Sequence, residues 1–133
     1  MKQELDKRLV KAFPLLYEDR NTSMQSTAMC WGFSCDDGWF DIIWNLSSKL
    51  EPLIQKLHNE HQDMEHLPRA SQVKEKFGGL RFYVTSATDE MDSLIGEAET
   101  LSYKTCESCG NPGQGRSVGW IKTLCDTCSE ERK

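Results

Sequence analysis

Cys106-Glu-Ser-Cys109-Gly110, followed 15 residues later by Cys125-Asp-Thr-Cys128, is the stretch that decides how the C-terminal part of this chain folds. Each Cys-x2-Cys pair forms a tight turn that turns both sulfurs toward one tetrahedral ion at about 2.3 Å, and two pairs at this separation match four-thiolate zinc sites. Gly110 permits the left-handed backbone common just after such a turn. Disulfides would need an oxidising compartment, and a redox Cys-x2-Cys is usually a single pair beside a βαβ unit. A four-thiolate iron centre is the remaining alternative. Sulfur at all four positions leaves no open coordination site, so one structural Zn2+ on Cys106, Cys109, Cys125 and Cys128 is expected. Residues 106–133 also hold Gly110, Pro112, Gly113, Gly115 and Gly119. Such a run of helix breakers predicts turns and short strands only, with Trp120 to Leu124 leading into the second pair. So small a module has little core of its own, and metal binding, worth about 10–16 kcal/mol in zinc-finger peptides, would supply its folding energy.

Upstream, Gln72 to Phe77, Gly78-Gly79 and Leu80 to Thr85 read as a β-hairpin whose two-residue loop is the glycine pair, because the favoured turns require positive φ. With Phe77 opposite Leu80, the period of two places Val73, Glu75, Phe77, Leu80, Phe82 and Val84 on one face and Lys74, Lys76, Arg81 and Tyr83 on the other. Glu75 then lies on the apolar face near Phe82 and needs a partner or a sheet edge.

Helical periodicity flanks the hairpin. Leu5, Leu9, Ala12 and Leu16 predict a short helix that Pro14 ends near Phe13. From Asn21 to Ser34 an irregular or partly extended segment is expected. Trp39, Ile43, Leu46, Leu50, Leu53 and Leu57 repeat at 4-3-4-3-4 spacing, predicting the central helix, with Pro52 kinking or breaking it near Lys49 to Glu51. Asp36 and Asp37 read as caps of its first turn rather than as a catalytic carboxylate pair. Met91, Leu94, Ile95, Ala98 and Leu101 predict a second core helix to about Tyr103, capped by Ser86 or Thr88. The resulting expectation is an α+β fold: helices packed on a two-stranded hairpin, with residues 1–105 as the core and a four-cysteine knuckle at 106–133 closing one compact unit.

Charge narrows the function classes. The 133-residue chain carries a net charge of -5, which works against coating nucleic acid through bulk electrostatics. Within it, residues 68–84 hold Arg69, Lys74, Lys76 and Arg81 against Glu75. The face of Lys74, Lys76, Arg81 and Tyr83 suits an anionic partner such as a phosphate backbone, a nucleotide or an acidic protein patch. The competing reading is a solvated face paired with the acidic helix that follows. His58, His61 and His66 lie among carboxylates and read as a solvated helix end, not as a second metal site, because the pattern is not His-Glu-x2-His. Cys30 and Cys35 read as reduced thiols near Trp31 and Phe33, and Trp39 and Trp44 as core or interface aromatics. No apolar run reaches the length of a membrane span, and the charged N-terminus lacks a secretory pattern, so a cytoplasmic setting without membrane contact is expected. No serine elbow, phosphate loop or metallohydrolase motif appears.

Taken together, Cys35-Asp-Asp-Gly38-Trp39-Phe40, the run Val73-Lys-Glu-Lys-Phe-Gly-Gly-Leu-Arg-Phe-Tyr83 and the two cysteine pairs resemble a family of small phage, prophage and bacterial proteins that end in a zinc-ribbon or treble-clef-like knuckle. The likeness spans about residues 31–128, the hairpin run being its most specific part. It implies the zinc site and a phage or mobile-element setting, and brings no established activity with it. The same Leu-Cys-x2-Cys ending occurs in zinc-knuckle nucleases of the His-Asn-His type, but no histidine lies between or after the cysteine pairs here, so nuclease activity is not implied. The expected function is therefore that of a non-enzymatic zinc-binding accessory protein acting on a protein partner as inhibitor or adaptor. The alternative is a nucleic-acid or signalling-nucleotide binder using the hairpin face.

Overall fold

The computed structural model describes residues 1–21, 27–61 and 67–131. Helix α1 (Gln3–Ala12) ends at Phe13, one residue before the proline that forbids its continuation. The chain then turns under the core, where Glu51 of the central helix accepts hydrogen bonds from the backbone N–H groups of Leu15 (3.1 Å) and Leu16 (2.8 Å). After a short helical turn at Ala28–Trp31 come strand β1 (Phe33–Ser34) and the central helix α2 (Phe40–His61). The hairpin strands β2 (Arg69–Lys76) and β3 (Gly79–Thr85) follow, then helix α3 (Asp89–Ser102). Beyond α3 lie a second hairpin, β4 (Gln114–Val118) and β5 (Trp120–Leu124), and a short helix α4 (Asp126–Glu131). No described helix is long and apolar enough to cross a membrane.

The α+β class is as expected, with four differences. First, the core sheet has three strands, in the order β1-β2-β3, because β1 adds parallel to β2 with Phe33 opposite Val73. A two-residue strand carries no readable alternation, and its partner lies about forty residues away, so nothing local announces it. Second, α2 runs unbroken through Pro52. Leu50 and Ile54, fully buried on either side, and Glu51, held by the Leu15 and Leu16 amides, anchor the helix across the one missing hydrogen bond. Third, the stretch from Cys106 onward, expected to hold only turns and short strands, includes α4, which carries Cys128. Every glycine and proline of that region precedes Trp120, and Asp126 to Glu131 contains neither.

The fourth difference is the hairpin turn. Lys76 pairs with Gly79, Glu75 with Leu80 and Val73 with Phe82, so the loop is Phe77-Gly78 rather than Gly78-Gly79. Both loop residues have positive φ, 54° and 85°, the signature of a mirror-image type I′ turn. Gly79 is drawn into the strand because the ring of Tyr103 lies where its Cβ would stand. The strands slip past one another by two residues, since Leu80 faces Glu75 rather than Phe77, and this even step preserves the parity of the faces: Val73, Leu80 and Phe82 still point into the core and Lys74 and Arg81 still point away, while Phe77 leaves the apolar face for solvent.

Between sheet and helices, Trp39, Ile43, Leu50, Val73, Leu80 and Met91 are almost wholly removed from water. Tyr17 stands edge-on to Phe33 with ring centroids 5.1 Å apart. Its hydroxyl meets that of Ser47 at 2.5 Å; since Ser47 already donates to the Ile43 carbonyl, Tyr17 is the donor. Ser102 Oγ accepts from the Leu80 N–H at 2.9 Å, so α3 also satisfies part of the β3 edge. Thr88 caps α3 by accepting from the Met91 N–H.

Burial gives this core an alkaline limit. It pushes the Cys35 thiol up to about 12, reinforced by nearby Glu107, and drives the Tyr17 phenol well above its ordinary value despite the bond to Ser47. Both groups are held neutral in the fold and ionise first in the unfolded chain, at 9.0 and 10.0. The stabilisation is complete below those values and is lost as pH rises through and above them. The unfolding free energy of the zinc-loaded protein, from urea titrations, should fall by about 1.4 kcal/mol per pH unit above pH 9 through Cys35, and by about as much again per unit above pH 10 through Tyr17. Cys35→Ala should flatten the pH 9–10 part of that decline; an unchanged slope would contradict the assignment.

Candidate metal centre

The chain brings the four predicted sulfurs together by a turn, a hairpin and a helix. Cys106 and Cys109 flank a turn closed by the Gly110 N–H donating to the Cys106 carbonyl (2.9 Å) and the Cys106 N–H donating to the Asn111 carbonyl (2.7 Å). Strands β4 and β5 then reverse at Gly119 and return the chain to Cys125. Cys128 follows in the first turn of α4, its N–H donating to Cys125 Sγ at 3.4 Å. All four Sγ atoms lie within 4.8 Å of one another, and those of Cys109 and Cys125 are 3.6 Å apart. A tetrahedral ion with metal–sulfur bonds of about 2.3 Å requires sulfur–sulfur edges of about 3.8 Å, so the cluster is at coordination size.

One of the sulfurs, that of Cys106, is electrostatically prepared. Burial acts to raise the Cys106 thiol, but the backbone N–H groups of Cys125, Cys109 and Ser108 outweigh it and hold the thiol down at about 7. Packing beside the other sulfurs raises Cys128. A cation placed among them lets all four ionise together. Cys106 is buried, Cys125 and Cys128 half-buried and Cys109 exposed, which gives an ion an entry side.

Sequence reasoning missed what attaches this centre to the core. Glu107, inside the first knuckle, is 1% exposed. Its Oε2 accepts from the Asp36 N–H (3.0 Å), its Oε1 from Lys122 Nζ (3.2 Å), and its backbone carbonyl from the Gly38 N–H (2.7 Å). Its own N–H donates to the Thr123 carbonyl at 3.0 Å. Knuckle, zinc hairpin and the entry to α2 therefore meet at one residue. Gly38 is required there, because a Cβ at that position would overlap the carbonyls of Cys106 and Glu107. Trp39, fully buried, donates from Nε1 to the Thr105 carbonyl at 2.9 Å.

The expected capping role of the aspartates is accordingly corrected. Asp36 occupies the N-cap position without a side-chain capping bond, and Asp37 accepts instead from the Lys2 N–H at 2.7 Å. The carbonyl of Glu107 takes over at the helix entry. A carboxylate placed in a knuckle otherwise built of small and sulfur-bearing residues was the available signal.

Lys122 extends the junction to the core hairpin. Its Nζ lies 3.3 Å from Glu75 Oε1, while Glu75 Oε2 accepts from the Gly78 N–H at 2.8 Å. The partner that Glu75 needed on the apolar face is thus a lysine from the zinc hairpin. Burial raises the Glu107 carboxyl above its usual range, against the pull of the Asp36 N–H and Lys122. Burial pulls Lys122 down, but Glu107 and Glu75 together raise it on balance.

On the hairpin's outer face Lys74 and Arg81 stand directly opposite one another. Arg81 forms an ion pair with Glu99 of α3 and also donates to the Tyr103 hydroxyl at 3.2 Å. Lys74 Nζ sits 5.9 Å from the centroid of the Tyr83 ring and Lys76 Nζ 5.6 Å from that of Phe77. Among the described residues neither lysine has a carboxylate partner. His58 is half-buried on α2, with Nδ1 lacking a partner among the described residues. His66, Asp63, Glu65 and the His61 side chain lie outside the described residues, as does Met24. Cys35 is buried and Cys30 half-buried; both are free thiols.

No protein-family model, curated protein or solved structure matches the chain. The site therefore rests on its own geometry.

Two outcomes are expected. Purified protein should carry one zinc per chain, and Cys→Ser at any of the four positions should reduce that content. Chelation should lower the thermal midpoint by more than about 10 °C and alter the near-ultraviolet dichroism of Trp39, whose indole is bonded at the knuckle. Separately, Glu107→Ala should destabilise the zinc-loaded protein by about 3 kcal/mol, since it strands the Asp36 N–H and removes one of two acceptors from Lys122. Glu107→Gln, which keeps an acceptor oxygen, should recover most of that loss in urea titrations.

Proposed function

We propose that this chain is a zinc-stabilised binding protein without catalytic chemistry of its own, an accessory protein of phage or mobile-element origin that acts in the cytoplasm on a protein partner as inhibitor or adaptor. One observation carries the reading: the candidate metal ligands are four thiols converging on one point. A zinc ion so enclosed holds no water to activate and offers no position for a substrate, so its work is architectural. The order knuckle, β-hairpin, helix, with the second cysteine pair at the helix start, is treble-clef-like in its connectivity.

The anion-binding alternative draws support from Lys74 beside Tyr83 and Lys76 beside Phe77, an arrangement able to place a base on a ring and a phosphate on an ammonium. Against it, the guanidinium expected to grip a phosphate is held by Glu99, and Lys122 lies between two carboxylates. At Arg81 or Lys122 an arriving phosphate would have to displace a carboxylate already in place, which leaves only the two lysine ammoniums for it. A protein surface that uses apolar contact has no such competitor.

Cobalt substitution tests the metal half of the proposal. The Co2+ protein should show the intense sulfur-to-metal charge-transfer and visible bands of a tetrahedral tetrathiolate, unchanged on adding azide or varying pH between 6 and 9. A spectrum that responds to added anion would reveal an exchangeable ligand and overturn the closed-site reading.

A further inference from the structure

The tip of the core hairpin lies against strand β5 of the C-terminal hairpin. The Thr123 hydroxyl donates to the Gly78 carbonyl at 2.6 Å, joining β5 to the β2–β3 turn. Beside this joint an open hollow of about 440 Å³ is lined by Glu75, Lys76, Phe77, Trp120, Ile121 and Lys122. Phe77 is 66% and Trp120 67% exposed, and Ile121 45%. With aromatic side chains presenting about 150–250 Å² each, the three residues offer roughly 300–400 Å² of apolar surface, the scale of functional patches on soluble proteins.

The backbone gives an independent reason to regard the patch as used. Phe77 occupies a left-handed conformation (φ 54°) at the first central position of a type I′ turn, where asparagine or glycine is favoured and an aromatic side chain is strained. It makes no core contact that would compensate, being mostly in solvent. A strained aromatic held out at a turn is a feature from which function is properly argued.

The charges specify the occupant. Lys122 is neutralised by Glu75 and Glu107, whereas Lys76 lines the hollow without a carboxylate partner among the described residues, and Lys74, likewise without one, stands two residues further along β2 over the Tyr83 ring. We infer that the Phe77–Trp120–Ile121 surface docks a segment of a partner protein in which an apolar anchor is flanked by Asp or Glu. A second copy of this chain fits less well, because twofold contact of like patches brings each protomer's lysines against the other's. The inference rests on the binding reading above and gives its partner a chemistry.

The test is selection from displayed random dodecapeptides on the zinc-loaded full chain, followed by titration of resynthesised peptides. Enriched sequences should combine Leu, Phe or Trp with adjacent acidic residues and bind in the micromolar range, more weakly as salt rises. Trp120→Ser and Phe77→Asn should each weaken binding by about tenfold and Lys74→Ala/Lys76→Ala by a few-fold. Phe77→Asn should at the same time raise the thermal midpoint, because it installs the favoured turn pair, so that lost binding cannot be lost folding. Enriched peptides that bind these variants as tightly as the unsubstituted chain would overturn the patch while leaving the binding reading standing. Failure to enrich any sequence would overturn both. Neutral or basic consensus sequences would refute the acidic chemistry. Variant-sensitive binding of oligodeoxythymidylate would replace the protein partner with a nucleic acid, and variant-sensitive dimerisation in sedimentation would replace it with a second copy.

Discussion

A single carboxylate buried between two sulfur ligands ties the zinc module to everything else. Glu107 receives the Asp36 amide and the Lys122 ammonium on its side chain and the Gly38 amide on its backbone. Such a group is costly to remove from water and is tolerated only where its acceptor positions are filled. Here the fillers come from the entry of α2 and from β5, so satisfying one residue fixes the relative placement of three segments. The close passage at Gly38 follows directly: the helix entry can give up its amide only by lying against the knuckle carbonyls, where no Cβ fits.

The dependence runs in both directions. The four sulfurs of the knuckle converge at a spacing that suits a shared ion, and the hairpin and short helix around them bury few apolar residues of their own. Trp39 links the two, being part of the central apolar cluster and bonded to the carbonyl of Thr105 just before the first cysteine. Metal binding at this cluster would therefore stabilise more than a C-terminal appendage, because the knuckle contacts the start of α2, the helix on which the sheet packs. The same arrangement lays β5 against the β2–β3 turn, since Lys122 and Thr123 reach that turn from the strand that leads to Cys125.

What could be read in the sequence was what depends on short-range periodicity or on fixed chemistry. The cysteine pairs announced a coordinating cluster because tetrahedral sulfur geometry has few sequence solutions, and α1, α2 and α3 followed from spacing. The hairpin faces were legible although the turn was displaced, because a register slip of two residues, an even number, preserves which side chains share a face. Features set by distant partners were not legible. β1 is too short to show alternation and exists because β2 offers it an edge; α2 continues through Pro52 because residues from the N-terminal turn hold it. Glu107 looked like a polar filler between cysteines, and its role appears only when Asp36, Gly38 and Lys122 are brought beside it.

The displaced turn also shows how a packing constraint can generate a surface. Gly78 and Gly79 together would make an unstrained loop, yet Tyr103 lies so close to the hairpin that position 79 must lack a side chain within the strand. That requirement assigns one glycine to packing and leaves only one for the turn, which forces Phe77 into the left-handed region. A side chain there cannot fold back onto the apolar face to which alternation would assign it, and it emerges beside Trp120. The same tyrosine accepts a bond from Arg81, whose charge Glu99 neutralises, so the contact that pushes an aromatic outward also withdraws a cation from the face. The outer surface of the hairpin is thereby made more apolar at its tip, where Phe77 emerges, and less basic at Arg81 than its sequence implies.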